Sequence, residues 1–392
     1  MSGRFGAFDG LLDVVGASWP LFGDDAPAPQ EVSRRLREAI GVPDVPGVGD
    51  ADVRVEQEWT RDGLLGRELS WDAGFGPRVR ARLLRPAAAP GPLPTALFLH
   101  CHGGLKRFGL DKLADGATGR PVHPVLTGVR AGLYGGRAPA EDLARRGHAV
   151  LVHDAHGWGS RRLPVEAMPV RGRAVADLAL AARAGEELDE AAVYDVHAGA
   201  AEDTVAKALA LVGTSWAGVI AREDLLALDV LHHLEGGLDE GTAPRTALIG
   251  LSGGGARAVI ASALRPGPDA GIGAVVVAAM VSTLREMVPE HVHSHTWAFM
   301  TPSLARVADW PDVVAAAAPR PLYVHYATRD ALFPPEGMRR AHDLITRRYA
   351  GRGAPQHYRG VFREVPHSFD AAAQAEVHDW LQTLDVPAGG AR

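Results

Sequence analysis

The segment TALIGLSGGGARAVIASAL, residues 246–264, joins an apolar run to a helical pattern through Gly250-Leu251-Ser252-Gly253-Gly254. Residues 246–251 predict a short buried strand. Residues 256–264 predict a helix that stops before Pro266. The G-x-S-x-G match between them has the strand, sharp turn and helix that a nucleophilic serine requires. Such a turn is strained, tolerates only small neighbours and exposes the serine hydroxyl. It also aims a helix N-terminus at the place where negative charge develops. The plainer reading is a glycine-rich turn with an N-capping serine.

A serine hydroxyl needs a base, and the base needs a group to orient it, in the chain order Ser, acid, His for this architecture. Downstream, residues 321–326 predict a strand that runs into Ala327-Thr328-Arg329-Asp330, which makes Asp330 the candidate acid. Residues 358–365 predict another strand, ending at Pro366-His367-Ser368-Phe369. His367 follows that strand and is the candidate base, whereas His357 precedes it. Two N–H donors are needed for an oxyanion. Gly253 supplies one. The other is expected from His100-Cys101-His102-Gly103-Gly104, with the His102 amide first and Gly103 second. The side chains of His100 and His102 then read as packing or surface groups. Cys101 sits beside that donor, so bulky thiol modification is expected to block the loop, while Cys101→Gly and Cys101→Ser keep activity.

His291, His293 and His295 alternate and would share one face of a strand. No cysteine or placed carboxylate completes a metal set there. Lining of a substrate pocket by His293 and His295, with Trp158 from residues 154–162, is the functional alternative to ordinary packing. In that second stretch Asp154 is expected to hold backbone amides, and Arg161 or Arg162 a carboxylate.

Working outward, strands are expected at 95–100, 149–153 and 274–279, with helices at 138–146, around 227–234 and at 373–384. Strands alternating with helices predict a mostly parallel sheet covered on both faces, an α/β fold. Residues 1–90 form a preface: a short helix at 30–40 and a small antiparallel set at 53–59, 67–71 and 79–84. A Pro/Ala/Gly linker separates it from a catalytic unit at 91–392. Insertions at 105–136 and 157–213 exceed ordinary βα connections and are expected over the active-site edge. The second contains an alanine-rich helix at 175–188.

The 392 residues allow one large core. Gly 46 and Pro 28 imply many tight turns without low complexity. The net charge of −6 has no basic block, which argues against nucleic-acid binding. The single cysteine excludes an intramolecular disulfide. Neither a signal peptide nor a run long enough to span a membrane is visible, so a cytoplasmic protein is expected. Self-association stays open.

Several blocks in order, HCHGGLK (100–106), DAHGWGSRR (154–162), GTSWAG (213–218), GLSGGG (250–255), APRPL (318–322) with Thr328-Arg329-Asp330, and His367-Ser368-Phe369, resemble the α/β-hydrolases of the dienelactone-hydrolase and acetyl xylan esterase type. That family usually has glycine where Cys101 stands. The resemblance implies a serine esterase acting on a small-molecule ester without a cofactor, with Ser252, Asp330 and His367 as triad. A peptidase of the prolyl-oligopeptidase type, a carbon–carbon bond hydrolase and a non-catalytic binding protein are the alternatives.

Overall fold

The structure, a computed structural model, describes residues 10, 11, 14 and 27–385 apart from 90, 118–121, 237–245, 268, 269, 289 and 303. The strands are β1 (Arg54–Arg61), β2 (Leu64–Trp71), β3 (Val79–Pro86), β4 (Thr95–Leu99), β5 (Ala149–His153), β6 (Thr246–Leu251), β7 (Ile272–Ala278), β8 (Leu322–Ala327) and β9 (Tyr358–Arg363). They form one sheet in the order β1-β2-β3-β5-β4-β6-β7-β8-β9. The pairs from β5 to β9 are parallel, and β1, β2, β3 and β5 pair antiparallel. The expected mostly parallel sheet is therefore present. The hairpin strands of the preface extend it, because Ala81–Leu84 pairs with β5. The division drawn at residue 90 thus falls within one continuous sheet.

Period-2 alternation explains why both faces are covered. Leu97, Leu99, Leu248, Val275, Val277 and Val324 point into one apolar cluster. Ala96, Phe98, Ile249, Val276 and Tyr323 point into another. The first is closed by α1 (Pro29–Ile40), α6 (Trp216–Glu235), α7 (Gly253–Leu264), α9 (Trp310–Val314) and α10 (Pro335–Gly351). The second is closed by α3 (Pro139–Arg145) and α11 (Ala371–Asp385). The outer strand β1 is mostly exposed and carries charges, which blunts an edge that would otherwise pair with other chains.

The insertions hold α2 (Pro124–Leu133), α4 (Val170–Ala182) and α5 (Glu190–Leu211). The helix expected at 175–188 is α4; it starts earlier and ends at Ala182, and Gly185 adopts φ +104° beyond it. The longer α5 was not foreseen, because alanines on all sides erase the amphipathic contrast that marks a helix. A four-residue helix, α8 (Leu284–Met287), precedes the histidine triplet. Residues 292–294 are a single 3₁₀ turn rather than a strand. No single helix among the described residues is long and apolar enough to cross a membrane.

The strand order fixes where a ligand can enter. From β4 the chain goes to β5 on one side and later to β6 on the other. The crevice beyond the C-terminal ends of β4 and β6 is a topological switch point.

Candidate active site

Ser252 follows β6 with φ 55° and ψ −127°, a left-handed-side conformation that a non-glycine residue adopts only under constraint. Its N–H donates to Ala278 O (2.8 Å) and its carbonyl accepts from Ala256 N (3.0 Å). The constraint is the packing of its neighbours. A Cβ on Gly250 would lie 2.1 Å from the Gly254 carbonyl carbon, and one on Gly254 would lie 2.0 Å from Leu99 O. Helix α7 can therefore press against β4 and β6 only with glycine at both positions.

Asp330 lies three residues beyond β8 and His367 four beyond β9. The two exits stay laced together: Thr328 N donates to Arg363 O (2.8 Å) and Arg329 N to Val365 O (3.1 Å). Asp330 Oδ1 accepts from Leu332 N (2.8 Å), and its Oδ2 lies 2.5 Å from His367 Nδ1. A carboxylate only accepts, so Nδ1 carries the proton and Nε2 is the free nitrogen of the neutral ring. The loop that carries His367 is tied down on both sides. Buried His325 Nε2 donates to Ser368 O (3.1 Å), and Phe369 N donates to Leu133 O of α2 (2.8 Å). Burial lowers His325 to about 4, so it stays a neutral donor. No hydrogen bond joins Ser252 Oγ to His367 among the described residues, but both line one cleft of about 870 Å³.

The β4 exit forms the facing wall. A Cβ on Gly253 would come within 3.2 Å of the His102 backbone nitrogen. The Gly253 N–H is the first of α7, beyond the reach of intrahelical bonding. The His102 N–H donates to no other group among the described residues. Gly103 and Gly104 turn the loop with φ 61° and 63°. The His102 ring accepts from Gly104 N at Nδ1 (3.0 Å) and turns Nε2 to Glu202 (3.5 Å).

Glu202, on α5, binds three segments together. Its Oε2 pairs with Lys106 Nζ (2.5 Å), and its Oε1 accepts from Thr296 Oγ1 (2.5 Å) and Trp297 N (2.8 Å). Burial alone would raise its pKa; His102 and Lys106 instead hold the carboxyl well below the usual range. Lys106 also lies over the rings of Trp158 and Trp216, at 4.8 and 4.3 Å.

The remaining expectations divide. Asp154 accepts from the amides of Leu110 and Ser160, both 2.8 Å, and Arg161 pairs with Glu223 (2.5 Å), as the sequence suggested. His100 is buried: Nε2 accepts from Ala155 N (3.2 Å), so Nδ1–H donates to Cys101 O (3.1 Å). His295 lines the cleft, with its Nε2–H donating to Leu332 O (3.1 Å) beside Asp330. His293 does not line it; the residue is exposed, because a 3₁₀ turn rotates alternate side chains apart. His291 bonds Ala331 O (3.2 Å), and no group of three or more metal-ligating side chains occurs among the described residues. Trp158 is outside the cleft. It packs against the His102 ring at 5.1 Å and lines an adjoining apolar pocket of about 30 Å³ that shares His102, Gly253 and Thr296 with the cleft.

Cys101 also differs from expectation. Its thiol is fully buried, in the apolar cluster with Phe98, Leu110 and Tyr134. Thiol reagents cannot reach it in the folded protein. Native protein should react with an aromatic disulfide reagent at least about 100-fold more slowly than denatured protein, since reaction needs local opening. Stopped-flow absorbance measures both rates, and equal rates would contradict the burial.

Sequence reasoning missed Glu202 and the α2 wall of the cleft. Glu202 is one acid in an alanine-rich helix, without a local signature. On α2, Val125, Gly128, Val129, Gly132 and Leu133 recur at i, i+3, i+4, i+7 and i+8 and face the cleft. That periodicity was readable, though not the side it would face.

No family model matches the chain. The protein YtaP of Bacillus subtilis (strain 168), named as a hydrolase, is 24% identical over 353 residues, covering 90% of this chain and 98% of its own. A Bacteroides fragilis NCTC 9343 structure, named as an acetyl xylan esterase, aligns over 93% of this chain and 83% of its own with TM-score 0.64 and 15% identity. The glucuronoyl esterase from Solibacter usitatus aligns over 91% and 92% with TM-score 0.58 and 16% identity. Sheet order, the turn at Ser252 and these structural likenesses together place the chain in the α/β-hydrolase fold.

Proposed function

We propose that this protein is a serine esterase that cleaves uncharged carboxylic esters by two-step acyl transfer. The observation that carries the reading is the His367–Asp330 hydrogen bond of 2.5 Å opening onto the same cleft as Ser252. Ser252 Oγ attacks the ester carbonyl while His367 Nε2 takes its proton. The amides of Gly253 and His102 hold the oxyanion. His367 then protonates the leaving alcohol and afterwards activates water. Asp330 keeps the proton on Nδ1 throughout and stabilises the imidazolium.

Charge supports an uncharged substrate. The described lining of the cleft has no lysine or arginine. Its two acids are already partnered, Glu202 by Lys106 and Asp203 by Lys207, each at 2.5 Å. An anionic group would enter without a counter-ion and lose its hydration.

The α2 wall supports a bulky one. A Cβ on Gly128 or Gly132 would meet nothing within 4 Å. Glycine inside a helix costs about 1 kcal/mol relative to alanine, and here no packing demands it. What the two glycines leave is room. Gly128→Leu and Gly132→Leu should keep p-nitrophenyl acetate turnover within about threefold. They should lower kcat/KM for p-nitrophenyl benzoate by about 10-fold or more, the scale of a pocket filled by a few methylenes. Equal loss on both esters would contradict the sizing role.

A fluorophosphonate probe tests the esterase reading, because only an activated serine is labelled. Labelling at Ser252, located by peptide mass spectrometry, is expected. An unlabelled, folded protein without activity on any p-nitrophenyl ester would overturn it.

A further inference from the structure

Lys112 is fully buried at the end of a 3₁₀ turn, Leu110–Lys112. Its Nζ donates to Cys101 O (3.0 Å) and His102 O (2.8 Å), both carbonyls of the β4 exit loop. No carboxylate pairs with it among the described residues. A buried ammonium that spends its hydrogen bonds on two main-chain carbonyls is costly, and packing alone does not call for it.

Peptide planarity says what it does there. In a trans peptide the C=O and N–H point in opposite directions. The Cys101 carbonyl shares its plane with the His102 N–H, and the His102 carbonyl shares its plane with the Gly103 N–H. With both carbonyls turned to Lys112, both N–H groups turn the other way, to the side where Gly253 approaches His102. Successive amides facing one side make an anion-binding concavity. These are the two loop donors that the sequence offered for the oxyanion.

We propose that Lys112 is a positioning residue for the esterase reaction: its grip on the Cys101 and His102 carbonyls keeps the His102 and Gly103 amides aimed at the developing oxyanion. The inference rests on the esterase reading of Ser252. The carbonyls have other donors, His100 Nδ1 on Cys101 O and Leu105 N on His102 O (3.2 Å). Lys112 alone touches both, and it alone adds charge. Burial lowers its ammonium to about 8, while Cys101, Asp195 and Asp154 hold it up and Arg257 pushes it down. Donation to two carbonyl oxygens favours the protonated form. A cation on the carbonyl oxygen polarises the peptide and makes the opposite N–H a stronger donor. Its own place is fixed by Arg130 of α2, whose Nε donates to Lys112 O (3.3 Å).

The test is Lys112→Met, which keeps the stem and removes the donor. One oxyanion donor is worth about 10²–10³ in kcat. A folded variant should lose about 10- to 1000-fold in kcat with KM within about threefold, and affinity for a boronic acid that forms a tetrahedral adduct should fall in parallel. A purely structural role would not lower kcat and boronate affinity together at constant KM. Wild-type kcat and boronate affinity in the variant would overturn the proposal. So would a phosphonate adduct of wild-type protein whose crystal structure turns its oxygen away from the His102 amide or frees Lys112 from the two carbonyls. That second measurement needs no variant to fold. Failure of the esterase reading looks different, since wild-type protein itself would then escape labelling at Ser252.

Discussion

Ser252→Ala is expected to lower ester turnover by on the order of 10⁴–10⁶, the loss seen when a nucleophile is deleted from an intact acyl-transfer site. The fold should be undisturbed. The Ser252 side chain makes no hydrogen bond among the described residues, and its backbone is held by Ala278 and Ala256. Alanine suffers the same positive φ as serine, so the stability change should stay within about 0.5 kcal/mol. Steady-state rates on the best p-nitrophenyl ester, with thermal unfolding run alongside, decide the matter. A variant that turns over at a comparable rate means that another group attacks.

Asp330→Asn should cost about 10⁴ in kcat with little change in KM, although it removes no atom from the cleft floor. An asparagine amide can donate to His367 Nδ1, which moves the ring proton to Nε2. The ring then faces Ser252 with a donor where a lone pair is needed. Combined with Ser252→Ala, the substitution should add almost nothing, because groups acting as one unit are not additive. Residual activity of Asp330→Asn within tenfold of wild type would reassign the acid. The neighbouring carboxylates are poorly placed to replace it. Asp309 caps α9 through Trp310 N and also accepts from Leu284 N, each 2.8 Å, and burial raises it to about 7. Asp312 pairs with Arg348 (2.7 Å).

Ser252 and Asp330 were legible because each sits just beyond a buried strand, β6 and β8, and such strands announce themselves as short apolar runs; His367 follows the half-exposed β9 and was legible from its place in the chain order after the acid. What lies behind the loops was not. Lys112 and Glu202 act through carbonyls and carboxylates that come together only once the insertions fold back over β4. The histidine triplet misled. His291, His293 and His295 looked like one face of a strand, yet a 3₁₀ turn separates them. Trp158, expected at the substrate pocket, packs edge-on against the His102 ring. The helix at 190–211 stayed hidden for a compositional reason: with alanine on every face, burial leaves no periodic trace.

The Glu202 junction has a consequence for how substrate comes and goes. Swinging α5 away from the cleft would part Glu202 from Lys106, whose side chains are 10% and 4% exposed. The same carboxylate also holds Thr296 Oγ1 and Trp297 N, so α5 can lift only by releasing the segments at 106 and at 296–297 together. Lid and cleft wall are thus joined at one carboxylate, and whatever moves the one moves the other.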